Sequence, residues 1–171
     1  MCQVVRSGGK WSESGRGAAA EKKGVPMLLG EYNHTIDGKG RVIIPARLRD
    51  DLGDSIVICN GLEGCLFVYS QEEWEKFVEK LSTLPRMNKD ARTFQRYFFG
   101  SASEGSFDKQ GRVLVPPTLR NAAGLEKDVV LVGVLDRVEI WDKERWDERN
   151  QISEEDMDAI AEHMDAIGIR I

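Results

Sequence analysis

Short aliphatic runs, set between glycine-bearing and charged turns, organise the chain from Met27 onward. Val42-Ile43-Ile44 and Val113-Leu114-Val115 are continuous runs of β-branched or aliphatic side chains, a pattern that predicts strands buried on both faces. Gly40 and Gly111 stand just before them, where a tight turn needs positive φ, and Asp37 or Asp108 at the turn entry can accept from nearby backbone amides. Pro45 and Pro116 end these strands and suit the first turn of a short helix through Arg49 or Arg120, with Gly53 and Gly124 as stops. Ile56-Val57-Ile58-Cys59 and Cys65-Leu66-Phe67-Val68-Tyr69 flank Asn60-Gly61-Leu62-Glu63-Gly64, a glycine-bearing hairpin loop.

Helical spacing follows. Ser70 with Glu73 reads as a capping box, and Trp74, Phe77, Val78 and Leu81 form one stripe at i, i+3, i+4, i+7. A second helix is expected from near Asn88 to before Gly100, burying Ala91, Phe94 and Phe98 and presenting Arg92 and Arg96 together. Near the C-terminus Ser153 and Asp156 cap a helix with the stripe Met157, Ile160, Ala161 and Met164, Gly168 as its stop, and an acidic opposite face. Residues 1–26 hold only Val4, Val5, Trp11 and Val25 among Gly, Ser, Lys and Ala, too few apolar groups to offset the entropy of ordering them. They are expected to be a disordered leader or upstream extension, with Met27 as the start of the folded protein.

One thirteen-residue pattern occurs twice. Asp37-Gly38-Lys39-Gly40-Arg41-Val42-Ile43-Ile44-Pro45-Ala46-Arg47-Leu48-Arg49 returns 71 residues later as Asp108-Lys109-Gln110-Gly111-Arg112-Val113-Leu114-Val115-Pro116-Pro117-Thr118-Leu119-Arg120, with seven positions identical. The similarity continues from Ser55-Ile56-Val57-Ile58 to Asp128-Val129-Val130-Leu131, and from Phe67-Val68-Tyr69 with Trp74 to Glu139-Ile140-Trp141 with Trp146. Each half therefore predicts one unit: two strands joined by a turn, a short helix, a hairpin and a helix.

Charge changes the picture locally. The 171 residues are 41% hydrophobic and 31% charged, ordinary for a soluble globular protein, and the net charge of −5 argues at first sight against a polyanionic partner. The average conceals net charges of +3 in residues 1–26, −3 in 27–149 and −5 in 150–171. Within the middle segment, 37–49 nets +3 and 108–120 nets +2, so the basic charge coincides with the repeated element. No stretch approaches the roughly 18 uncharged apolar residues of a membrane span, and the first residues lack the apolar core of a secretory signal. Cys2, Cys59 and Cys65 with His34 and His163 make no recognisable zinc set, so a cytoplasmic protein without a metal is expected.

The Asp and Arg four residues apart, twice, admit two readings: an ion pair bracing each turn, or an arrangement that presents Arg, whose five-donor fork matches a phosphate or a guanine edge. An enzyme would have to use Asp37 with Asp108 as paired carboxylates, without a Ser/Cys-His constellation, metal set or phosphate-binding glycine loop beside them. Cys59 and Cys65 pack as small hydrophobes, a disulfide requiring suitable geometry. A ring-forming assembly or adaptor protein without DNA binding is the alternative function, using Trp74, Phe94, Tyr97, Phe98 and Trp146 as partner surfaces where they are not core.

The paired D-x-x-x-R turns with their aliphatic strands and prolines, together with Gly30-Glu31-Tyr32 and Asn60-Gly61-Leu62-Glu63-Gly64-Cys65-Leu66, resemble the bacterial MraZ family from Met27 to about Arg149. The resemblance implies an α+β, mainly β chain: two tandem SpoVT/AbrB-like swapped-hairpin β-barrel repeats forming an intramolecular pseudo-dimer, with flanking helices. The corresponding domains are 27–80 and 101–150 for the repeats, 81–100 for a helical connector and 151–171 for an acidic C-terminal helix. It further implies closed rings of protomers that bind direct repeats in the promoter of the cell-division and cell-wall operon, mostly as repressors, in the cytoplasm and at the nucleoid. The motif positions are Asp37, Arg41, Asp108 and Arg112. Arg41 and Arg112 are assigned to DNA contact, Lys39 and Lys109 to phosphates, and Asp37 and Asp108 to orienting the arginines. Few basic side chains per protomer make single-copy binding weak, a deficit that a ring engaging several repeats offsets by multivalency. The expected partners are double-stranded promoter DNA and further copies of the chain, with no cofactor, membrane or small-molecule substrate.

Overall fold

The computed structural model describes residues 27–169, so the leader expected over 1–26 lies outside the described residues. The first half runs β1 (Leu28–Thr35), β2 (Arg41–Ile43), α1 (Ala46–Leu52), β3 (Ser55–Asn60), β4 (Leu66–Ser70), α2 (Gln71–Ser82) and α3 (Lys89–Phe99). The second half repeats that order as β5 (Ser103–Ser106), β6 (Arg112–Leu114), α4 (Pro117–Ala123), β7 (Asp128–Leu135), β8 (Val138–Asp142), α5 (Lys143–Arg149) and α6 (Glu154–Ala166). The unit expected from the sequence is present in both halves, and the architecture is α+β with antiparallel sheets.

Strands of the two halves interleave. The larger sheet has the order β1-β7-β8-β4-β3-β5, and β2 pairs with β6 in a two-stranded sheet. Thus β1 of the first half lies against β7 of the second, with Tyr32 opposite Leu131, while β5 of the second lies against β3 of the first, with Ser55 opposite Ser106. The two hairpins meet where β4 pairs with β8. Neither half could complete its sheet alone.

Alternation along the inner strands serves two cores at once. Ile56, Ile58, Leu66, Val68, Val129, Leu131, Val138 and Ile140 fill one cluster, closed by Val42, Ile44, Leu48, Val113, Val115 and Leu119 from the ribbon and the helices α1 and α4. Cys59, Phe67, Tyr69, Val130 and Trp141 point the other way, into a second cluster with Leu81 and Phe98. The strands buried on both faces are therefore β3, β4, β7 and β8, not the 42–44 and 113–115 runs. Those two runs bury one face only: Ile43 is 47% and Leu114 55% exposed, because the β2–β6 ribbon is an outer layer with none of the described residues packed beyond it.

The helices start and stop where the side chains specify. Ser70 Oγ accepts from Glu73 N at 3.2 Å, Asn88 Oδ1 from Asp90 N at 2.8 Å, and Ser153 Oγ from Asp156 N at 3.1 Å. Pro45 and Pro116 are the N-caps of α1 and α4, and Gly53 and Gly124 their C-caps. The aromatic helices depart from expectation in part. Phe98 is buried in a web of ring contacts, but Phe94, expected in the core, is 41% exposed and touches Phe98 edge-on at 4.9 Å. Helix α6 buries no side chain, and Met157 and Ile160 on its apolar stripe stay exposed. Cys59 and Cys65 are free thiols in the second core, their pKa pushed up to about 12 chiefly by burial.

Candidate nucleic-acid interface

Each repeated turn is built around its aspartate. Asp37 Oδ1 accepts from the amides of Lys39 and Arg41, both at 2.9 Å, and Oδ2 accepts from Arg41 Nε at 2.7 Å. The chain closes around it, with Gly40 N donating to Asp37 O and Asp37 N to Arg41 O, both at 2.9 Å. Asp108 does the same with the amides of Gln110 at 2.9 Å and Arg112 at 3.0 Å, and with Arg112 Nε at 2.7 Å. Holding this loop requires positive φ just before the arginine, +80° at Gly40 and +74° at Gly111. The aspartates thus brace the turns, each paired with its own arginine, which is the first of the two readings of the Asp–Arg spacing. Each carboxyl sits below the usual carboxylate pKa, held there first by the arginine's own backbone amide and then by its guanidinium.

Antiparallel pairing of β2 with β6 sets the two turns at opposite ends of one short ribbon, within reach of a long side chain. Arg112 Nη1 approaches Asp37 Oδ2 of the other turn at 4.0 Å. Both guanidinium groups engage their own aspartate through Nε, a bond that uses one of the five donors of each fork. The side chains of Arg41 and Arg112 are 29% and 24% exposed. Lys39 and Lys109 are exposed beside them in the turns. All six sequence-assigned residues therefore lie along the one ribbon layer, three at its Arg41–Leu114 end and three at its Ile43–Arg112 end.

Two further arginines, counted in the sequence only as local charge, hold the turns in place crosswise. Arg49 Nε donates to Ile44 O at 2.9 Å, and its guanidinium lies so close under Gly111 of the other repeat that a β-carbon there would stand 2.5 Å from Arg49 Cζ. Reciprocally, Arg120 Nε donates to Val115 O at 3.1 Å and lies under Gly40, where a β-carbon would stand 2.7 Å from Arg120 Cζ. The exchange is reinforced by Ile44 N donating to Gly111 O at 3.0 Å and Val115 N to Gly40 O at 2.9 Å. The signal was present in the sequence, since Arg49 and Arg120 belong to the identical positions of the repeat, but the crossing of the strands gives it meaning.

A protein-family model described as MraZ protein matches the chain twice, over residues 27–97 and 98–167. This chain belongs to the MraZ family. Among its relatives, the transcriptional regulator MraZ of Lachnoclostridium phytofermentans is 54% identical over 143 residues, spanning 84% of this chain and 99% of that protein. The proteins of the same name from Clostridium beijerinckii and Thermoanaerobacter pseudethanolicus are each 54% identical, again over 84% of this chain and all of the relative. Among solved structures, the solution structure of PHS018 from Pyrococcus horikoshii aligns at 16% identity with a TM-score of 0.28, over 66% of this chain and 87% of that one, too remote to bear on the fold. Each MraZ match takes in two helices after its hairpin, which makes α6 the positional counterpart of α3. Among the described residues no group of His, Cys, Asp and Glu is placed to hold a metal ion, and no helix is long and apolar enough to cross a membrane.

Proposed function

We propose that this chain is a DNA-binding transcriptional regulator that works through the turns and outer face of the β2–β6 ribbon. The observation that carries this is the pair of aspartate-aligned guanidinium forks, Arg41 and Arg112, brought side by side from the two repeats. A fork whose Nε is fixed is preorganised to offer its remaining donors to a phosphate or a guanine edge. Arg41 and Arg112 make the DNA contacts, Lys39 and Lys109 neutralise phosphates, and Asp37 and Asp108 orient the arginines. An acid–base role for the two aspartates finds no support, because each already accepts three hydrogen bonds and is held ionised.

The interleaved pairing of β1 with β7, β2 with β6 and β3 with β5 supports the reading of the two repeats as SpoVT/AbrB-like swapped hairpins in one pseudo-dimeric chain. The proposed working form is a closed ring. Helix α6 carries six acidic residues and an uncovered stripe with Met157 and Ile160, while its counterpart α3 exposes Phe94 and Tyr97 beside Arg92 and Arg96. Opposite charge and matching apolar stripes suit α6 of one copy against α3 of the next, a heterologous contact of the kind that generates rings when the rotation closes. The assembly surface favoured by the adaptor reading is thereby part of the DNA-binding machine. The site of action implied by MraZ membership is the promoter of the cell-division and cell-wall operon, with repression as the outcome and the nucleoid as the location.

Titration of duplexes carrying one or four direct repeats from the region upstream of this coding sequence tests the proposal. Binding should strengthen with repeat number by well over the fourfold statistical factor, on the order of 100-fold. Equal binding to both, or no retention of either, would contradict it.

A further inference from the structure

Register fixes which side chains share the outer face of the ribbon. Arg41 lies opposite Leu114 and Ile43 opposite Arg112, with Val42 and Val113 paired between them. Residues directly opposite each other point to one side of a ladder, and neighbours along a strand alternate. Val42 and Val113, 0% and 1% exposed, mark the inner side. Arg41, Ile43, Arg112 and Leu114 therefore form one outward checkerboard, in which each apolar side chain adjoins a guanidinium along its own strand and another across the ladder.

Two branched aliphatic side chains left in water among cations need a reason. An antiparallel strand with one solvated face ordinarily carries polar residues there. The major groove of duplex DNA is wide enough for a two-stranded ribbon and presents two kinds of feature that this patch complements: the O6 and N7 acceptors of guanine, and the C5-methyl group of thymine. Charge complementarity with the two forks selects DNA as the occupant over a second copy of this chain, whose overall charge of −5 offers no ordered array of acceptors. We infer that Ile43 and Leu114 are specificity-determining residues that contact thymine methyl groups next to the positions engaged by Arg41 and Arg112. The inference rests on the DNA-binding reading above and deepens it, separating side chains that supply affinity from side chains that supply sequence preference.

Uracil in place of thymine removes only the C5-methyl group and keeps base pairing, so it is a direct probe. The full chain is titrated with the duplex upstream of its coding sequence, in thymine and in uracil form, alongside Ile43→Ser with Leu114→Ser and the conservative pair Ile43→Val with Leu114→Ile. At roughly 0.8 kcal/mol per buried methyl, two lost contacts should weaken wild-type binding on the order of tenfold in the uracil duplex. The serine variant should bind both forms alike, at the wild-type level for uracil, and the conservative pair should keep the preference for thymine. Equal wild-type affinity for the two duplexes, or full thymine preference in the serine variant, overturns the inference while leaving the DNA-binding reading intact. Loss of oligomer in the serine variant without loss of thymine preference overturns it in favour of a contact between copies. Failure of the wild-type chain to retain either duplex overturns both.

Discussion

At Gly40 and Gly111 the requirement for glycine is double: the backbone is left-handed, and the arginine of the opposite repeat fills the space a side chain would take. Gly40→Ala should therefore destabilise the chain by about 1–2 kcal/mol, a few degrees in melting temperature. Gly38, two residues away, has open space around its Cα and no positive φ. Gly38→Ala is the internal control and should melt with wild type; an equal drop in both would show that the Arg120 contact is immaterial. The aspartates make a second prediction at this scale. Their folded pKa is lowered from an ordinary value of 3.8, so the stabilisation they give is complete above that value and fades as pH falls through the folded one. Melting temperature followed against pH should show a full and constant contribution from the turns between pH 5 and 8, and Asp37→Asn with Asp108→Asn should flatten the acid limb below about pH 4. An unchanged acid limb would mean that the carboxylate bonds do not hold in solution.

Elements were legible where one segment carries its own instructions. Ser70, Asn88 and Ser153 accept from the amides that their capping positions predict, and Gly53 and Gly124 end the short helices. Burial was less legible, because it depends on what another segment covers. Val42-Ile43-Ile44 looks like a central strand, yet its second face is open since, among the described residues, the ribbon itself is the outermost layer on that side. Phe94 follows the helical stripe of α3, yet lies at its margin, beyond the reach of the sheet. The same distinction makes α6 informative: it is a capped helix with an apolar stripe and no buried side chain, so packing onto the described core adds little to it. Met157→Lys with Ile160→Lys should leave the first melting transition of the chain within a degree or so of wild type while reducing the sedimentation coefficient. A large fall in melting temperature with unchanged sedimentation would instead mean that α6 packs in cis.

In the whole molecule, the repeat was the most legible feature and its consequence the least. Seven identities in thirteen residues announced two copies of a turn and drew attention to Asp37, Arg41, Asp108 and Arg112. They could not announce that strands of one copy complete the sheets of the other, because pairing partners from 45 residues apart, as Ile58 with Ser103, to 107, as Leu28 with Leu135, leave no local trace. That crossing turns Arg49 and Arg120 from surface charges into struts and places the two forks together. It also explains how an acidic chain can gather basic charge: the positive windows of +3 and +2 share the one β2–β6 ribbon. The most direct test of the central claim is an equilibrium titration of the upstream duplex with Arg41→Ala plus Arg112→Ala, run beside wild type with sedimentation of both. Retention reduced by 100-fold or more, on the basis of about 1–3 kcal/mol for each lost fork, with an unchanged sedimentation coefficient is the expected result. Undiminished retention by the double variant would contradict it.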